Sequence, residues 1–273
     1  MPDKQPDLIN SYAEYVSFRN EFQETGVVNL RGRKWLNSTT VLLLAFLKSE
    51  SGCQLISNSE SSAKGYLDQM AADPNWWRRK KKRLVNSRSS YIPFSQLPEK
   101  EDDFKELFAR VTNLIKSYRS VGGQNAFKLV LSELTDNIYQ HSRFEKAFMM
   151  CQAYKKKGYV ELSFIDNGIS IPKNFEEHDI AFKSDSRAIS LAVDGQSTKD
   201  PVERGTGLGS SLRIYCEGGA AEAMIVSRDG AYYRKLDKSI LYQLKDHQKF
   251  QGTLISIRIP MLQTDIEYTK FIA

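Results

Sequence analysis

Glu133-Leu134-Thr135-Asp136-Asn137-Ile138-Tyr139-Gln140-His141 sets three polar side chains on one stripe of a helix whose inward positions are apolar. Residues four apart in a helix lie one above the other, so Glu133, Asn137 and His141 point the same way. Phe127, Val130, Leu131, Leu134 and Ile138 supply the core face of this helix, expected over 124–142. A polar row beside a core face is either a solvated surface or one wall of a site. As a wall it has chemistry to offer. The Asn137 carboxamide oxygen can join other oxygens around Mg²⁺, which takes an octahedral oxygen shell, and the Glu133 carboxylate can orient or deprotonate a water or hydroxyl.

Three further stretches follow in order. Tyr159 to Ile165 reads as a strand that runs out into Asp166-Asn167-Gly168, holding a carboxylate beside a glycine that lets backbone approach a flat ligand; an ordinary Asp-Asn-Gly turn is the alternative. Gly205-Thr206-Gly207-Leu208-Gly209 opens an apolar helix pattern, and glycines with free helix N–H groups can cradle phosphates. It is not a dinucleotide fingerprint, because Ser210 stands at the third glycine position and the preceding residues are polar, and no GxxxxGK[ST] phosphate loop occurs. Gly252-Thr253 opens the last strand, which Pro260 stops.

In this order, Glu-x-x-x-Asn on a helix, Asp-x-Gly after a strand, Gly-Thr-Gly-Leu-Gly opening a helix and Gly-Thr opening a strand resemble the N, G1, G2 and final boxes of the GHKL (Bergerat-fold) ATPases. The resemblance covers about 104–260. It implies an α/β fold: a C-terminal two-layer α/β sandwich with a mixed sheet and helices on one face. It further implies ATP and Mg²⁺ as ligands, with Glu133 as general base, Asn137 as the Mg²⁺ ligand and Asp166 as the reader of adenine. Gly168 would line the base, Gly205, Gly207 and Gly209 with Thr206 and Leu208 the phosphates, and Thr253 would support the adenine side. Lys199 or Arg204, in a lid over 194–204, would reach phosphate, and His141 four residues after Asn137 is similar to the bacterial anti-sigma-factor serine kinases. One departure is Ser170, where the pattern has a second glycine.

The front of the chain reads as a small β-α-β-α module, with strands at 26–30 and 53–56 and helices from Asn37 or Ser38 and over 63–70. It faintly resembles a STAS-type (anti-sigma antagonist) domain, which would make Ser38 a phosphoacceptor position; Ser38 as a plain helix cap is the simpler reading. Pro74, Trp76-Trp77, a basic run and Pro93 and Pro98 then interrupt regular structure. The expected division is 1–75 module, 76–100 linker and 101–273 nucleotide domain. A polar stretch at 232–249 reads as a helical insertion.

The 273 residues carry 39 basic and 33 acidic side chains, a net charge of +6. Arg78 to Arg83 alone accounts for that excess, so a global nucleic-acid footprint is not indicated. Trp76-Trp77 with this run could grip bases and phosphates, or the tryptophans could cover a domain seam. Three scattered cysteines without CxxC spacing argue against disulfides or zinc, and the apolar run Val41 to Leu47 is too short to span a bilayer; a cytoplasmic protein is expected. The function expected is a Mg-ATP-binding ATPase whose lid closure regulates a protein partner or self-association. A protein serine/threonine kinase and a non-catalytic nucleotide-gated binding module, with nucleic acid at 76–83, are the alternatives.

Overall fold

The computed structural model of the chain describes residues 7–57, 61–78, 89–116, 121–196, 207–262 and 264–271. Helix α1 (Leu8–Thr25), strand β1 (Val27–Asn29), helix α2 (Ser38–Ser51), strand β2 (Gln54–Ile56) and helix α3 (Ser62–Met70) form the front unit, with β1 and β2 parallel. The expected β-α-β-α order is present, and α1 precedes it. Strand β3 (Tyr91–Gln96) comes next, formed inside the stretch read as a linker. It sits at a sheet edge, where Pro93 removes no needed ladder bond.

Helices α4 (Lys105–Lys116) and α5 (Gln124–Asn137) lead into strands β4 (Ala147–Tyr154) and β5 (Tyr159–Asp166). Helices α6 (Ile171–Glu177), α7 (Asp185–Val193) and α8 (Gly207–Gly219) follow, then strands β6 (Glu222–Arg228), β7 (Gly230–Lys235), β8 (Lys238–Gln243) and β9 (Phe250–Pro260). One seven-stranded sheet runs in the order β3-β4-β5-β9-β6-β7-β8, and every pairing in it is antiparallel. Residues 232–249, expected as a helical insertion, instead supply most of the β7–β8 hairpin. Tyr232, Tyr233, Ile240, Leu241 and Tyr242 favour a pleated, half-buried surface over a helix.

Successive strand residues face opposite sides, and both sides are apolar here. Along β4, Ala147, Met149 and Cys151 enter the core under α4, α5 and α8, whereas Phe148 and Met150 enter a second core under α1 and α2. Every residue of β4 and β5 is buried. The front unit therefore covers the second face of the sheet, and helices lie on both faces rather than one. Helix α2 is buried at each position from Ser38 to Phe46, which explains an apolar run with no amphipathic period.

Polar groups within this second core are paired. Glu161 on β5 accepts from the Thr39 N–H (2.8 Å), the Thr39 hydroxyl (2.8 Å) and the Ser38 hydroxyl (2.6 Å). Its other oxygen takes the Arg258 guanidinium, which also reaches Glu222 at 2.7 Å. Asn37 is the N-cap residue of α2 but makes no side-chain cap bond, so the carboxylate that satisfies the helix start comes from the sheet.

Candidate functional site

Strand β5 ends at Asp166, whose Cα partners are Ala147 on β4 and Thr253 on β9. Its side chain lies on the α5 side of the sheet, only 2 % exposed, and accepts the Gly168 N–H at 2.9 Å. Burial is the main force on its proton: it pushes the carboxyl up to about 7, against the lowering effect of the Gly168 and Thr253 backbone donors. A carboxyl whose proton affinity is raised by burial, with unused acceptor capacity and held at a strand end, can pair with an amine-bearing planar group.

Backbone crowding sets the shape of this corner. A Cβ on Gly168 would lie 2.0 Å from the Ser142 carbonyl oxygen, to which the Ile169 N–H donates at 2.6 Å. Gly252 has φ +92°, and a Cβ there would stand 2.0 Å from the Asp166 carbonyl oxygen. Both glycines are thus required by close approach of neighbouring chain. Ser170 is explained as well. It is the N-cap of α6 and accepts the Lys173 N–H, in extended backbone at φ −73° that asks for no glycine.

Ser227 on β6 completes the corner and was not singled out from the sequence. Its fully buried hydroxyl donates to the Gly252 carbonyl (3.0 Å), pairs with the Thr253 hydroxyl (3.1 Å) and accepts the Ile171 N–H (3.0 Å). A lone serine at the end of the apolar run Ala223 to Val226 was the available signal. Asn167, read as part of a turn, is a joint: its amide oxygen takes the Glu145 and Lys146 N–H groups, and its nitrogen donates to Glu50 at the end of α2.

Glu133 and Asn137 lie on the last turns of α5, with Glu133 buried and Asn137 half-buried. The Asn137 nitrogen donates to the Glu133 carbonyl at 2.6 Å, which leaves the carboxamide oxygen as the atom to offer a cation. After Asn137 the helix widens into a π turn over Ile138–Ser142. That turn carries half-buried His141 off the strict four-residue stripe and delivers the Ser142 carbonyl to Gly168. The π turn therefore joins the polar row to the Asp166 corner.

Helix α8 begins at Gly207 and packs against α5 and α7, with Leu208 buried. Gly209 is needed for that packing, because a Cβ would lie 1.9 Å from the Val193 carbonyl oxygen at the end of α7. Lys199, Arg204, Gly205 and Thr206 lie outside the described residues. Among the described residues no three His, Cys, Asp or Glu side chains are placed to hold a metal ion. A cation at Asn137 would therefore draw its remaining oxygens from water and a phosphorylated ligand, a donor set that suits a hard ion.

Several expectations from the front half are settled by burial. Ser38 is 1 % exposed and bound to Glu161, so in the folded chain it is closed to a phosphoryl donor. Trp76 and Trp77 are buried, their indole N–H groups donating to the Ser95 hydroxyl (2.8 Å) and the Gln96 carbonyl (3.0 Å); they cover a seam and cannot stack on bases. Residues 79–83 of the basic run lie outside the described residues. All three cysteines are free and buried, and among the described residues no helix is long and apolar enough to cross a membrane. No protein-family model matches this chain, and none of the curated proteins matches it.

Proposed function

We propose that this chain binds Mg-ATP at the corner between β5, β9 and α5, as a GHKL-type ATPase, and hydrolyses it slowly. The observation that carries the reading is the buried Asp166 carboxyl, raised to about 7 at a strand end and framed by Gly168, Thr253 and Ser227. In this reading Asp166 accepts the exocyclic amine of adenine, while Gly168, packed against the Ser142 carbonyl, donates its N–H to that carboxyl and holds it in place. Asn137 contributes its amide oxygen to Mg²⁺, and Glu133 orients the attacking water. His141, Lys199 and Arg204, with 205–209, serve the phosphate end. Mg-ATP itself supplies a phosphoryl group and its counter-ion.

Glu50 on α2 bonds both Asn167 and Lys146, beside the proposed adenine corner. Nucleotide occupancy would thereby be felt by the front unit, whose outer surface is free to meet a protein partner or a second copy. Phosphate release by the full chain tests the chemistry. Glu133→Ala is expected to lower turnover at least about tenfold with ATP binding retained, and equal turnover removes Glu133 from the reaction. Transfer to a separate protein substrate is the second reading; the closed environment of Ser38 favours hydrolysis or an external acceptor over self-labelling there.

A further inference from the structure

The front unit carries a surface that the proposed nucleotide site does not use. Trp35 is 46 % exposed, the one aromatic among the large exposed apolar side chains of the described residues. Its indole is nearly parallel to the Tyr66 ring (10°, centroids 6.2 Å apart) and inclined to Tyr154 at 5.6 Å, so it is braced by two further rings. The indole N–H donates to Asn37, which fixes its rotation.

Two basic turns converge on this platform. Arg31-Gly32-Arg33-Lys34 leads into Trp35, and Lys155-Lys156-Lys157-Gly158 joins β4 to β5; all six cationic residues are exposed. The first turn is rigidly held, since Ser61 and Ser62 donate their hydroxyls to the Arg33 and Lys34 carbonyls. The second is tied to the first through Lys157, whose ammonium lies 4.3 Å from the Trp35 ring centroid. Arg33 also approaches Glu14, at 3.8 Å.

We propose that Trp35 and the two basic turns at 31–34 and 155–157 form a binding surface for single-stranded nucleic acid. Positive charge alone would suit any polyanion; the braced, exposed indole among the cations selects one with flat apolar faces. Lys157 occupies the place a base would take. Its flexible four-carbon stem can swing aside, and the ammonium then becomes a phosphate contact, so stacking costs little. This surface does not include the buried Trp76 or Trp77, and the proposal stands or falls independently of ATP binding.

Fluorescence anisotropy of the full chain with a labelled oligothymidylate of about 20 nucleotides, at about 50 and 200 mM salt, tests it. Binding should weaken with salt. Joint charge reversal K155E/K156E/K157E should weaken it more than about tenfold and lower the log–log salt slope by about 2, at roughly 0.7 per phosphate contact. Trp35→Ala should cost at least about fivefold. With Trp76 and Trp77 buried, the oligonucleotide should quench tryptophan emission in the natural protein and not in Trp35→Phe. The three lysines are exposed on a turn, so their reversal decides the matter even if Trp35→Ala fails to fold. No binding, binding indifferent to the lysine reversal, tighter binding to duplex of equal length, or equal binding to anionic phospholipid vesicles with the same sensitivity overturns the proposal.

Discussion

Glu161 and Ser38 lie 123 residues apart in the chain and 2.6 Å apart in the fold. The Glu161 carboxylate is fully buried, and it binds the start of α2 on one side and Arg258 on the other. Removing one member of such a group strands the remaining charge in the interior. Glu161→Ala is therefore expected to destabilise the protein by roughly 3–5 kcal/mol, while Ser38→Ala, which removes one neutral donor, costs about 1–2 kcal/mol. Urea unfolding checks both. A loss under about 1 kcal/mol for Glu161→Ala contradicts the picture of α2 as an integral layer capped from the sheet.

Glycine positions separate crowding from conformation. Gly252 combines φ +92° with a would-be Cβ 2.0 Å from the Asp166 carbonyl, whereas Gly158 has φ +72° and open space around it. Gly158→Ala should cost only the backbone strain, about 1 kcal/mol. Gly252→Ala must in addition push β5 and β9 apart and should cost about 3 kcal/mol or more. Equal denaturation midpoints for the two variants would show that the β5–β9 contact yields more easily than its geometry implies.

Asp166 makes a pH prediction. Its folded value of about 7 stands above the roughly 4 of an unfolded aspartate, so the native state holds this proton more tightly. The stability it contributes is fully present below about pH 4 and is lost as pH rises toward about 7. Asparagine has no proton to lose and can still accept the Gly168 N–H. Asp166→Asn should thus gain on the natural protein by roughly 3–4 kcal/mol between about pH 4 and 8, a difference in which the other titrating groups cancel. Parallel urea titrations across this range check it. A difference independent of pH contradicts the burial of an ionisable Asp166.

Part of the helical layer and its strands was legible in the chain, because 3.6-residue periodicity marks α5 and an apolar run ending in Asp166 marks β5. The stretch 232–249 reads as helical because lysine, aspartate and serine at exposed positions hide the alternation of Tyr233, Ile240 and Tyr242, which share one face of the hairpin. Strand β3 was hidden by Pro93, tolerated at an edge that sequence does not reveal. The front unit's order was readable, but its place was not: nothing local says that Ser38 and Thr39 meet Glu161. For the candidate site, Asp166, Gly168 and Thr253 were legible as motif positions, whereas Ser227 and the Ser142 carbonyl enter only through contacts across the fold. The π turn that shifts His141 is likewise invisible to a four-residue count.

The central proposal is a purine held by Asp166 with a metal shared through Asn137. Titration calorimetry of ATP into the full chain, with saturating Mg²⁺, measures it directly. The account predicts saturable heat at one site per chain, weakened when Mg²⁺ is withheld or in Asn137→Ala, and lost in Asp166→Asn although that variant keeps more of its stability as pH rises. Absence of heat with the folded natural protein, or unchanged binding in Asp166→Asn, would contradict it.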